Sequence, residues 1–222
     1  YSRWNDLALT QWAEDGTRDA NGQFCYLRDM ESDHLWSNTL QPTGVHADSY
    51  SAVFAQARAE FSRTDGGIQT RTRIAVSPED DIELRRVRIT NLSKRTRRIE
   101  VTSYAEVVLA RPSDAAAHPV FNKLFIETRI VRARQALLAQ RRPRADDEFT
   151  PCMLHMLTMR GGVWGEVTYE TDRAQFIGRG HTPAKPLAMQ GKQTLTASEG
   201  ATLDPVLVIR RVVELEPGGS AT

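Results

Sequence analysis

At 222 residues the chain is long enough to bury a substantial core, and 40% hydrophobic with 26% charged residues is an ordinary globular composition. A formal net charge of +1 gives no electrostatic case for nucleic acid or for an anionic membrane. No run approaches the roughly 18 apolar residues of a membrane span.

Period-two alternation dominates the chain. After a turn candidate at Asp19-Ala20-Asn21-Gly22, strand signals appear at 24–29 and 34–39. Residues 51–61 place Val53, Ala55, Ala57, Ala59 and Phe61 on one face of a single predicted strand. In 68–76, Ile68, Thr70, Thr72, Ile74 and Val76 oppose Gln69, Arg71 and Arg73, and the alternation resumes in 82–90 and 99–109. Asp65-Gly66-Gly67, Ser77-Pro78-Glu79-Asp80-Asp81 and Asn91-Leu92-Ser93-Lys94 punctuate these runs as hairpin turns. Further strand signals lie at 124–132, 152–159, 164–170 and 205–215, with a turn at Arg160-Gly161-Gly162; the one helical stretch predicted is short, near 131–140. The longest turn-rich breaks are 110–123 and 178–192, and loops on a rigid β scaffold are the usual carriers of function. The pattern predicts an all-β fold, a large antiparallel two-sheet sandwich, as a single domain over 1–222.

Chemistry-bearing motifs are sparse. There is no G-x-S-x-G elbow, Gly-rich phosphate loop or H-E-x-x-H, and the five histidines stand at no ligand spacing, so neither metal nor cofactor is expected. Cys25 and Cys152 form no metal or redox spacing and, lying in apolar runs, read as small buried hydrophobes of a reducing compartment. Arginines cluster at 95–98 and 132–144, the second group followed by Asp146, Asp147 and Glu148, which makes a solvated loop. Paired carboxylates such as Glu14/Asp15 and Asp80/Asp81 cannot be placed across a glycosidic bond from spacing alone. Trp12, Trp36 and Trp164 are flanked by strand residues and read as core. Trp4 sits among Arg3, Asn5 and Asp6, and Phe121 between His118 and Asn122-Lys123. An aromatic ring beside such polar groups suits a sugar, whose apolar C–H face stacks while its hydroxyls hydrogen-bond.

The opening YSRWNDLALTQWAEDGTRDANGQFCYLRDMESDHLWSNTLQPT (1–43) resembles the start of the N-terminal β-sandwich domain of the glycoside phosphorylases. That family includes cellobiose and chitobiose phosphorylase, and the likeness extends to the phosphorylase-like region of bacterial cyclic β-1,2-glucan synthases. RRVRITNLSKRTRRIEVTSYAEVVLA (85–110), HPVFNKLFIET (118–128), FIGRGHTP (176–183) and RRVVELEPGGSA (210–221) continue the resemblance in order.

The resemblance implies a galactose-mutarotase-like super-sandwich, followed in whole enzymes by an (α/α)6 barrel that carries the catalytic acid and phosphate site. The expectation is therefore a piece of a larger enzyme without its barrel, acting as a non-catalytic carbohydrate-binding and dimerisation module that shapes the entrance of the catalytic site. Arg3, Trp4, Asp6, His118, Phe121, Asn122 and Lys123 are the expected contacts for a β-glucan oligosaccharide. Implied partners are the catalytic barrel and a second copy in a homodimer, with no nucleic acid and no direct membrane contact. The parent is expected on the cytoplasmic side of a bacterial inner membrane. Two alternatives stand beside this reading: a mutarotase-like epimerase, using His118, His155 or His181 with Glu127 or Glu106, and a purely structural scaffold.

Overall fold

A computed structural model describes residues 1–222 except Gly16, Arg18, Asp19, Arg144, Asp146, Asp147, Glu148 and Lys192. Asp19 of the first turn candidate and most of the charged run at 144–148 thus lie outside the described residues. In chain order the strands are β1 (Arg3–Trp4), β2 (Leu7–Ala8), β3 (Gln23–Asp29), β4 (Leu35–Ser37), β5 (Ser49–Ala55), β6 (Arg58–Asp65), β7 (Ile68–Val76) and β8 (Glu83–Asn91). There follow β9 (Arg97–Glu106), β10 (Ile126–Val131), β11 (Ala136–Arg141), β12 (Cys152–Met156), β13 (Val163–Asp172), β14 (Gly200–Ala201), β15 (Pro205–Leu215) and β16 (Ser220–Ala221). Three short helices, α1 (Pro112–Ala117), α2 (Pro119–Lys123) and α3 (Arg173–Ile177), interrupt them.

The fold is all-β, as the alternation predicts. Its sheets run β1-β2, β12-β11-β10-β14, β13-β15-β9-β3-β4 and β16-β8-β7-β6-β5. The chain forms two compact units, one of Tyr1–Phe24, Thr102–Thr158 and Val167–Arg210, the other of Cys25–Val101, Met159–Glu166 and Arg211–Thr222. The first unit is built on Ala105, Val107, Leu109, Ile126, Leu137, Leu207 and Ile209. The second packs Leu27, Trp36, Ile68, Ile89, Ile99, Val213 and Leu215.

The glycine turn at 65–67 forms as its residues require. Asp65 pairs with Ile68, and Gly66 and Gly67 take φ of 52° and 82°, the primed turn that matches strand twist. At the break over 91–94 the Asn91 side chain accepts from Ser93 N at 2.9 Å. The run 51–61 corrects an expectation. It is a hairpin rather than one strand, with Ala55 paired to Arg58 and Ala57 at φ 62°. No Gly, Pro, Asn or Asp marks that turn, and β5 is exposed along its whole length rather than half-buried.

The helical prediction at 131–140 is also corrected. A single 3-10 turn at Arg132–Arg134 leads through left-handed Gln135 into β11. Helix forms instead in the 110–123 break, where Pro112 and Pro119 occupy first-turn positions that tolerate a missing N–H. Trp36 is core at 1% exposure, but Trp12 and Trp164 lie open at 46% and 41%. Arg98 stands 4.7 Å over the Trp164 ring. Cys25 is partly buried, and burial pushes its thiol up to about 12, whereas Cys152 is exposed, contrary to expectation. Among the described residues no helix is long and apolar enough to cross a membrane.

Candidate functional site

The opening segment of the first unit folds into a minimal hairpin. Trp4 pairs with Leu7 across an Asn5-Asp6 turn, and Asn5 takes the left-handed φ of 49° that asparagine tolerates. The buried Thr10 hydroxyl accepts from Ser2 N at 2.8 Å. An isolated bridge joins Ala8 to Ala110, with Ala8 N donating to Ala110 O at 2.9 Å and Val108 N to Leu9 O at 2.9 Å. Ala8, Val108, Ala110 and Ala115 then pack together, fixing the hairpin against α1.

This arrangement encloses an open cavity of about 310 Å³ lined by Arg3, Asn5, Asp6, Arg111, Pro112 and Ser113. The lining residues carry two guanidinium groups, an amide, a carboxylate and a hydroxyl, a donor and acceptor set suited to a polyhydroxylated ligand. Trp4, half-buried in the same hairpin, stacks on Phe149 with centroids 5.9 Å apart and planes at 28°.

The second predicted group lies on α2 and divides by exposure. His118 is exposed at the joint between α1 and α2, and Phe121 is 53% exposed, edge-on to Phe125 at 5.1 Å. Asn122 is buried, and its amide nitrogen donates to Asp114 O at 2.5 Å and His118 O at 3.0 Å. Arg141 in turn donates to the Asn122 carbonyl at 3.1 Å and to its Oδ1 at 2.9 Å. Lys123 Nζ donates to Asp204 at 2.5 Å, and Asp204 also meets Arg173 at 3.5 Å. Asn122 and Lys123 therefore hold α2 in place, while His118 and Phe121 face outward.

Behind them Arg173 donates to the Tyr104 hydroxyl at 3.2 Å, and Gly22 N donates to Glu106 at 2.9 Å. Burial pushes the Glu106 carboxyl up, opposed by the Gly22 hydrogen bond and the charges of Arg173 and Lys123. Of the other acid–base candidates, His155 Nε2 lies 3.0 Å from Ser103 Oγ, His181 sits among Lys185 O and Gln190, and Glu127 faces Arg142 at 3.3 Å.

Arg3 and Asp6 are thus brought into one cavity, and His118 with the three α2 residues Phe121, Asn122 and Lys123 is grouped separately from its lining. Sequence reasoning missed Arg111, Ser113 and Phe149. Arg111 reaches the hairpin through the Ala8–Ala110 bridge, a long-range pairing with no local signal.

Fold and site together define an antiparallel β scaffold that presents a polar cavity and an exposed aromatic turn on loops of one unit. Residues 1–222 match the glycosyl hydrolase 94 supersandwich domain, and the chain belongs to that family. It is 36% identical over 218 residues to the cyclic beta-(1,2)-glucan synthase NdvB of Rhizobium meliloti (strain 1021), covering 98% of this chain and 8% of that protein. It is 28% identical over 205 residues to solabiose phosphorylase of Paenibacillus borealis, covering 90% of this chain and 25% of the relative. Against N,N'-diacetylchitobiose phosphorylase of Vibrio proteolyticus it is 30% identical over 100 residues, 44% of this chain and 12% of that one. The chain therefore spans a quarter or less of the length of these relatives.

Proposed function

We propose that this domain is a non-catalytic carbohydrate-binding and dimerisation module of a β-glucan-active enzyme, and that it shapes the entrance to a catalytic barrel. In this reading the parent is a cyclic β-1,2-glucan synthase or glycoside phosphorylase, working at the cytoplasmic side of a bacterial inner membrane. The observation that carries the reading is the cavity lined by Arg3, Asn5, Asp6 and Arg111, in a hairpin that also carries Trp4. Arg3 and Asp6 pair with sugar hydroxyls, and Trp4 and Phe121 offer ring surface to pyranose faces. His118 contributes a further polar group, and Asn122 and Lys123 act by positioning the turn that displays Phe121. Such contacts raise the local occupancy and orientation of a glucan chain, which aids a neighbouring active site without chemistry in this domain.

The test is a calorimetric or NMR titration of the chain with linear β-1,2-glucooligosaccharides, with cello-oligosaccharides as the control. Saturable binding to the β-1,2 series, weakened in Arg3→Ala and Phe121→Ala, is expected. A well-folded protein that responds to neither series, alone or beside its catalytic barrel, would leave only a scaffold role.

A further inference from the structure

Net charge balances over the whole chain, but the β16-β8-β7-β6-β5 sheet separates it. Register sets Arg71 directly opposite Arg88 and Arg73 directly opposite Arg86, so all four side chains leave one face. On β6, Ser62 stands opposite Arg71 and Glu60 opposite Arg73, and Arg58 precedes Glu60 by two residues on the same face. Arg71, Arg73, Arg86 and Arg88 are all exposed.

Glu60 lies 2.9 Å from Arg58 and 3.4 Å from Arg73. Among the described residues Arg71, Arg86 and Arg88 have no carboxylate at ion-pair distance, and Arg88 meets only the Ser220 hydroxyl, at 3.2 Å. Strands about 4.8 Å apart and alternate residues about 6.7 Å apart put the four arginines on a small grid. Like charges directly opposite one another weaken a sheet, so internal stability gives no reason for the grid.

The surroundings of the grid favour one kind of partner. On the same face Leu84, opposite Ala75, is 63% exposed, and Val53, opposite Glu60, is 56% exposed. No aromatic residue of β5 to β8 shares this face, which removes the stacking platform a single-stranded nucleic acid uses. The exposed carboxylates of Glu79, Asp80 and Asp81 fill the far turn and oppose its insertion, which leaves the sheet face rather than its tip for the contact.

We propose that this face is a docking surface for an anionic lipid bilayer, with the arginines against headgroup phosphates and Leu84 and Val53 at the edge of the acyl layer. Cationic charge that exceeds the carboxylates beside it, with exposed apolar side chains flanking it, is what such a surface needs. The contact is peripheral, departs from the expectation of no direct membrane contact, and is independent of the carbohydrate reading.

The experiment is co-sedimentation of the chain with large unilamellar vesicles of phosphatidylcholine, with and without phosphatidylglycerol. Binding to the phosphatidylglycerol vesicles alone, weakening as salt rises, is expected. At about fivefold per arginine, R71Q/R88Q loses about 25-fold in partitioning. R132Q/R134Q removes the same charge at another exposed site and changes it by less than about twofold. R71K/R88K, which keeps charge and register, retains binding and guards against a folding defect. Absence of binding by the wild type, or equal losses in the two Arg→Gln pairs, overturns the proposal. Binding of a polyglutamate peptide through Arg71 and Arg88, with none to vesicles, replaces it with an acidic protein partner.

Discussion

Arg63 and Arg71 stand on neighbouring strands of one sheet, a single step apart in register. Arg63 pairs with Thr70 and Ser62 with Arg71, so the two guanidinium groups leave opposite faces. Arg63 is buried, clamps Asp65 at 2.5 and 2.7 Å, and donates to Thr39 O at 2.7 Å and Val45 O at 3.1 Å. Arg71 is exposed, with another arginine opposite it. One residue type therefore serves two ends: inside, it ties strand to loop through satisfied bonds, and outside, it presents charge. The largest effect should come from breaking the inside arrangement. Arg63→Ala strands the Asp65 carboxylate in the interior and is expected to cost about 3–5 kcal/mol by urea denaturation. The double replacement R63L/D65L should cost less than Arg63→Ala alone, because no unpaired charge remains. If the single substitution is the milder one, the pair is not the tie described.

The same contrast holds on α2, between Asn122 and its neighbour Phe121. Asn122 is buried with both ends of its amide engaged, whereas the Phe121 ring stands half in solvent. Asn122→Ala leaves Arg141 and two backbone carbonyls short of partners and should cost about 1–3 kcal/mol. Phe121→Ala should move the melting midpoint far less, since exposed side chains away from such networks shift stability by about 0.5 kcal/mol or less. Comparable losses in the two variants would mean that Phe121 is a packing residue rather than a displayed one.

The outer arginines allow the converse test. Arg88→Glu sets a carboxylate opposite Arg71 in place of a like charge. It is expected to stabilise the free protein by about 0.2–1 kcal/mol at low ionic strength, with the gain fading as salt screens the pair. A loss of stability would show that the arginine grid is already satisfied within the domain.

Legibility followed the range of the interactions. In β7, Ile68, Thr70 and Thr72 are buried while Arg71 and Arg73 are exposed, which plain alternation announces. The mixture around Trp4 likewise pointed to Arg3 and Asp6, which line the cavity. Arg111 could not be found this way, because its place depends on a bridge between residues distant in sequence. Asn122 read as a surface polar residue because its partner Arg141 lies on β11, distant in sequence.

The hairpin at 55–58 failed for a local reason instead. Ala57 holds a left-handed φ of 62° without being the residue type that signals it, so two strands read as one. Alanine pays for that conformation with strain from its Cβ, which glycine lacks, although glycine also gains freedom in the unfolded chain. Ala57→Gly should therefore stabilise the domain by a small margin, about 0.5 kcal/mol. The ladder on either side of the turn is carried by the backbone of β5 and β6. A neutral or destabilising result in urea denaturation would mean that the strain is already relieved and that the turn departs from the left-handed form in solution.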